Sequence, residues 1–171
     1  AGVTTRACNV LDREAMAALF AACAPYDILV SAATGGDRAF GQFTEMDMDG
    51  FQGSFDKLWG YANTIRFGTE HLAPDGAIVL VSGAPARQMR PGMVAIGSVG
   101  AAVESLVRSV AMEIPPRRIN VVSPGIIDTP MIAAQGEARA KMLAGATRNN
   151  LIPRAGTPDE VLNDRKLAEV Y

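Results

Sequence analysis

Lys57 and Tyr61 stand four residues apart, one helical turn, a spacing that can pair an amine with a phenol for proton transfer. An amine drawn out of water loses proton affinity, which brings a lysine toward the range where it exchanges protons. Ser82 closes the apolar run Ala77-Ile-Val-Leu-Val81 and offers a hydroxyl able to hydrogen-bond a substrate oxygen. Three loops, Ser31 to Gly36, Ser82 to Gly92 and Ser123 to Met131, are rich in Gly, Ala, Ser or Pro. Small residues let a flat ligand approach the backbone closely. A plainer reading stands beside each feature: Lys57 as a solvated helix lysine, Ser82 as a strand-end hydroxyl, Tyr61 as part of a packing face, the loops as tight connections. No metal site is expected, because the chain has one histidine, His71, and its two cysteines, Cys8 and Cys23, form no Cys-x-x-Cys pair. His71 reads as a surface group near a helix C-terminus, and the cysteines as small core residues.

The elements that must hold these residues alternate between strand and helix patterns. Val3 to Val10 is a short β-branched run expected to be a strand. Asp12 can cap a helix with apolar positions Met16, Leu19, Phe20 and Cys23. Asp27 to Ser31, Ala77 to Val81 and Arg118 to Val122 are compact apolar runs suited to buried parallel strands. One long helix is predicted from Asp47, with the stripe Phe51, Phe55, Leu58, Ala62, Ile65, Thr69 and Leu72, ended by a turn at Pro74-Asp75-Gly76. A second covers about Met93 to Glu113, with Ile96, Val99, Val103, Leu106 and Val110 on its stripe, stopped by Pro115-Pro116. Helix, loop and a short terminal helix follow. Alternation of this kind predicts an α/β fold, a doubly wound parallel sheet in three layers whose ligands bind beyond the carboxyl ends of the strands.

Composition narrows the function. With 49% apolar and 20% charged residues in 171, the chain reads as one globular domain over 1–171. A net charge of −2 leaves no basic excess to neutralise phosphates, so nucleic acid is not an expected partner. The longest uncharged run, Pro91 to Val103, is too short to span a bilayer, and no secretory signal pattern is present, which favours a cytoplasmic setting.

In their order, several blocks resemble the short-chain dehydrogenase/reductase family. Asn9-Val10 falls where the family has Asp-Val beside the adenine. Tyr26 to Ala33 is similar to the family's Asp-Ile-Leu-Val-Asn-Asn-Ala-Gly strand end. Gly76 to Ser82 looks like the strand that delivers the catalytic serine, and Ala101 to Leu106 like the continuation of the active-site helix. Arg118 to Thr129, ending Ser-Pro-Gly-Ile-Ile-Asp-Thr, resembles the Pro-Gly-x-x-x-Thr segment beside the nicotinamide. The resemblance implies a Rossmann-like sheet, NAD or NADP as cofactor, and association into a homodimer or homotetramer through the two long helices. For that contact Gly97, Gly100 and Ala101 would permit close approach. It implies cofactor contacts at Asn9, Val10, Ala32, Ala33, Pro124, Gly125, Ile127 and Thr129. Ile127 would offer its backbone to the carboxamide.

The departures from the family are as specific as the matches. The Tyr-x-x-x-Lys pair falls on Ile96 and Gly100, the serine on Gly83 with Ser82 one place early, and the asparagine on Lys57. A subgroup of the family has similar replacements. The Gly-x-x-x-Gly-x-Gly turn that cradles a pyrophosphate is absent, and the chain starts where the third family strand would stand. The first βαβα unit and the final strand are therefore expected to lie outside these residues, with a stretch omitted near Val161. Without those interior strands, Val3 to Val10 would be separated from the sheet and apolar edges exposed. The expected function is an NAD(P)-dependent oxidoreductase of a small carbonyl or alcohol, using Lys57, Ser82 and Tyr61 as non-standard catalytic residues. The alternative is a non-catalytic dinucleotide-binding or oligomer-partner protein.

Overall fold

A computed structural model of the chain describes residues 2–33 and 36–162; Thr34 and Gly35 of the first candidate loop, and 163–171, lie outside the described residues. The chain divides into two compact units, Ala1–Ser123 and Pro124–Tyr171.

In the first unit, helix α1 (Arg13–Cys23) starts where Asp12 accepts a hydrogen bond from the Ala15 amide. Strand β1 (Tyr26–Ser31) follows, then helices α2 (Met48–Ser54) and α3 (Asp56–Gly68), strand β2 (Leu72–Val81), helix α4 (Val94–Val110) and strand β3 (Arg118–Val122). The three strands are parallel in the order β1-β2-β3. Ile78 and Leu80 point from β2 into a core completed by Tyr61 and Ile65 of α3, Val103 and Val107 of α4, Leu72 and Ile119. Helices α3 and α4 thus meet on one face of the sheet. On β1, Ile28 and Val30 are 66% and 60% exposed, so within this unit the sheet is covered on one side.

Several expectations change. Residues 2–9 form no strand, as a β-branched run without a ladder partner leaves its backbone groups unpaired. The single helix from Asp47 is two, broken at Phe55. Asp47 caps the first, accepting from the Gly50 amide at 2.8 Å. Pro74 to Gly76 is not a turn between elements but an irregularity inside β2, where the register to β1 jumps from Tyr26↔Leu72 to Ile28↔Ala77. Gly76 is required there, since a Cβ would lie 2.6 Å from Leu72 Cγ. Cys23 is exposed and Cys8 half-buried, so neither is a core residue. His71 closes the short 3-10 turn after α3.

In the second unit, helices α5 (Gly136–Thr147) and α6 (Pro158–Leu162) accompany an extended segment whose Ile127 bridges Gly156. Thr157 and Glu160 form a reciprocal cap on α6. The Glu160 carboxylate accepts from the Thr157 amide at 2.8 Å, and the Thr157 hydroxyl accepts from the Glu160 amide at 3.3 Å.

Candidate functional site

Parallel pairing brings Ser31, Ser82 and Ser123 to the carboxyl ends of three adjacent strands, and the Ser82 amide donates to Val122 O at 2.8 Å. This is the edge where open α/β sheets bind ligands. Asn9 and Val10 lie on the turn before α1, where the Asp12 amide donates to Asn9 O. Val10 is drawn onto α3: Asn63 Nδ2 donates to its carbonyl at 2.9 Å, and its side chain fills the space a Cβ on Gly60 would need. Ala32 and Ala33, just past β1, are exposed.

Lys57 lies in the first turn of α3, half-buried, with Nζ 5.5 Å from the centre of the Tyr61 ring. Loss of water and, second, the charge of Arg38 hold its proton affinity below that of a free lysine. Tyr61 itself is 1% exposed, and its hydroxyl donates to Val81 O at 2.7 Å. Burial pushes that phenol up to about 12, only partly offset by the Val81 contact. The lysine meets the ring face, not the hydroxyl, so the expected phenol–amine pair is a cation–π contact in this structure. Ser82 is buried, with its hydroxyl turned to α4 and donating to Gly100 O at 3.4 Å.

The space beside Gly97 and Gly100 on α4 is physically filled. A Cβ on Gly100 would lie 2.8 Å from Ala86 Cβ and 3.1 Å from Ser82 Oγ, and one on Gly97 would lie 2.9 Å from Pro85 O. The two glycines receive the 3-10 turn Ala84–Ala86 of the β2–α4 loop. Within the chain, the close approach that these glycines permit is made by this loop.

In the second unit, Asp128 N donates to Gly156 O at 2.8 Å and Gly156 N to Ile126 O at 2.9 Å. The bridge uses the groups flanking Ile127 and leaves the Ile127 N–H and C=O out of it. Gly125 has open space where a Cβ would stand. Pro124, Gly125, Ile127 and Thr129 are thus carried on one extended segment of this unit.

A family model described as enoyl-(acyl carrier protein) reductase matches residues 1–163. The chain belongs to the short-chain dehydrogenase/reductase family. A short-chain dehydrogenase/reductase, malC, from Malbranchea aurantiaca is 33% identical over 91 residues, 53% of this chain and 34% of the relative. The chain spans about a third to just over half the length of the curated relatives it matches. A small-chain dehydrogenase solved with NADPH superposes with a TM-score of 0.83 at 22% identity, over 93% of this chain and 73% of that one. A short chain oxidoreductase from Pseudomonas aeruginosa PAO1, described as NADPH-bound with an atypical catalytic center, gives 0.78 at 30% identity, over 94% and 66%.

Two groups of this short-chain dehydrogenase/reductase chain escaped sequence reasoning. Glu104 of α4 is 6% exposed and receives Arg87 Nε at 3.0 and 3.1 Å and Ser123 Oγ at 2.8 Å. It ties the β2–α4 loop, α4 and the end of β3 together. A usable signal was present: Glu104 shares a helix face with Gly97 and Gly100, and a carboxylate on a small-residue face needs partners. The other group, Arg139, left no such signal.

Proposed function

We propose that this chain belongs to an NAD(P)-dependent oxidoreductase acting on a small carbonyl or alcohol, with Lys57 exchanging the proton. One observation carries the reading. Lys57 is a desolvated amine with lowered proton affinity, in a family member whose usual proton-donor positions are Ile96 and Gly100. Ser82 and Tyr61 then serve differently. Ser82 braces the loop against α4, and Tyr61 presents its ring as the platform under Lys57.

Within each unit, groups that match parts of a dinucleotide support this reading. The unbridged N–H and C=O of Ile127 match the acceptor and donor of a carboxamide, and Gly125 leaves the backbone approachable. Asn9 Oδ1 accepts from the Leu11 amide at 3.0 Å, which leaves its NH2 to read an adenine edge. Val10, Ala32, Ala33, Pro124 and Thr129 complete the proposed contacts. The bound cofactor would supply or take the hydride. NADPH is the first to test, since both solved relatives above are described as NADPH-bound. A cytoplasmic location is part of this reading; among the described residues no helix is long and apolar enough to cross a membrane.

Nicotinamide fluorescence of the chain titrated with NADPH and NADH tests binding, and a carbonyl panel tests turnover. Lys57→Ala should cut turnover by about 10²–10⁴-fold with NADPH affinity kept. Turnover unaffected by that substitution removes Lys57 from the mechanism.

A second reading, a non-catalytic dinucleotide binder, is favoured by the internal commitment of two candidate groups, the hydroxyls of Tyr61 and Ser82. Binding without turnover of any carbonyl would select it. Both readings include pairing of two copies through α3 and α4. A groove of about 490 Å3 between these helices is lined by apolar Ala62, Ile65, Leu106, Val110 and Ile114. Arg66 and Glu113 on the same groove supply opposite charges that a two-fold contact can match. Light scattering should show a dimer that Leu106→Asp dissociates; a monomeric wild type refutes the pairing.

A further inference from the structure

Arg139 sits in the first turn of α5 and reaches back over the segment before its own helix. Nε donates to Asp128 Oδ1 at 2.9 Å, and Nη2 donates to the same oxygen and to Thr129 O at 2.8 Å. Nη1 donates to Ile132 O at 2.6 Å and Ala134 O at 3.3 Å. A guanidinium has five N–H donors. These five bonds use all of them, so Arg139 has none left for a ligand. Its side chain is 20% exposed, which places most of the fork away from water.

We propose that Arg139 is a positioning residue for the nicotinamide-facing segment, and this rests on the dinucleotide reading above. Two clamps fix that segment at successive residues. Gly156 sets the register of Ile126 to Asp128 through two backbone bonds, and a Cβ at Gly156 would lie 2.9 Å from Ile127 Cδ1. Arg139 takes over at Asp128 and holds the next carbonyls, including that of Thr129. Thr129 is therefore gripped at its own carbonyl and at the preceding carboxylate, while its hydroxyl is left to a ligand. The planar fork is what allows one side chain to collect a carboxylate and three carbonyls. A lysine has three donors on one atom and cannot span them.

The test compares wild type, Arg139→Ala and Arg139→Lys by NADPH fluorescence titration, residue-resolved amide exchange, circular dichroism and thermal melting. Arg139→Ala should weaken NADPH binding about tenfold with helix content unchanged, and Arg139→Lys should recover only part of the loss. The Ile132 amide, bonded to Thr129 O, should exchange at least about tenfold faster in Arg139→Ala. The Asp128 amide, held by Gly156, should not change; a general loss of folding would speed both. NADPH affinity within twofold of wild type in Arg139→Ala, or unchanged Ile132 exchange, overturns the proposal. A wild type that does not bind NADPH overturns the dinucleotide reading instead, and Ile132 exchange then decides the positioning role alone.

Discussion

Gly100→Ala probes the docking of the Ala84–Ala86 turn against α4. In an exposed helix the change from glycine to alanine stabilises by about 1 kcal/mol. At Gly100 the new methyl would lie 2.8 Å from Ala86 Cβ, 3.1 Å from Ser82 Oγ and 3.5 Å from Ala86 Cα. Carbon atoms pack at about 3.5–4.0 Å, so the Ala84–Ala86 turn must retreat by roughly 0.7 Å or more. Overpacking of this kind costs about 1–3 kcal/mol, which outweighs the helix gain. Gly53→Ala is the control in the same unit, because a Cβ there meets only Asp37 O at an ordinary 3.6 Å. Thermal or urea unfolding should place Gly100→Ala below wild type and Gly53→Ala at or above it, a separation of about 1–3 kcal/mol. Because the new methyl would also lie 3.1 Å from Ser82 Oγ, Gly100→Ala should disturb the Ser82 side chain as well. Equal stabilisation by both alanines would refute the claim that the loop occupies this slot.

Tyr61→Phe removes a buried donor and leaves Val81 O unpaired, at a cost of about 1–3 kcal/mol in urea unfolding. The wild-type phenol, raised from 10.0 to about 12 in the folded chain, contributes stability that is complete below pH 10 and lost as pH rises toward 12. Tyr26 is raised to about 12 by burial as well, so the variant should keep part of that alkaline loss; an identical alkaline profile in variant and wild type contradicts the assignment. Glu104→Ala strands the Ser123 hydroxyl and frees Arg87, whose side chain is 67% exposed, so the ion pair adds little and the cost is about 1–3 kcal/mol. Unfolding free energy within about 0.5 kcal/mol of wild type would show that the network does not hold the three elements.

The sequence by itself determined the strands Asp27 to Ser31 and Arg118 to Val122, the helix after Asp12 and most of α4, because hydrophobic period and caps are local properties. It also determined family membership, carried by the order of several blocks along the chain. The proton role of Lys57 remains a proposal that the Lys57→Ala turnover assay decides. Only tertiary structure decided the rest. The period that continues through Phe55 could not reveal the break between α2 and α3. A β-branched pattern at Val3 to Val10 could not make a strand without a neighbour to pair with. Tyr61 and Ser82 have the right chemistry, but their hydroxyls face Val81 O and Gly100 O, a matter of side-chain direction that spacing does not contain. Gly97 and Gly100 advertised a close approach, and only the fold shows that the chain's own Ala84–Ala86 turn makes one. Glu104 and Arg139 act through partners 17–19 and 5–11 residues away, and such pairings exist only once the backbone has brought them together.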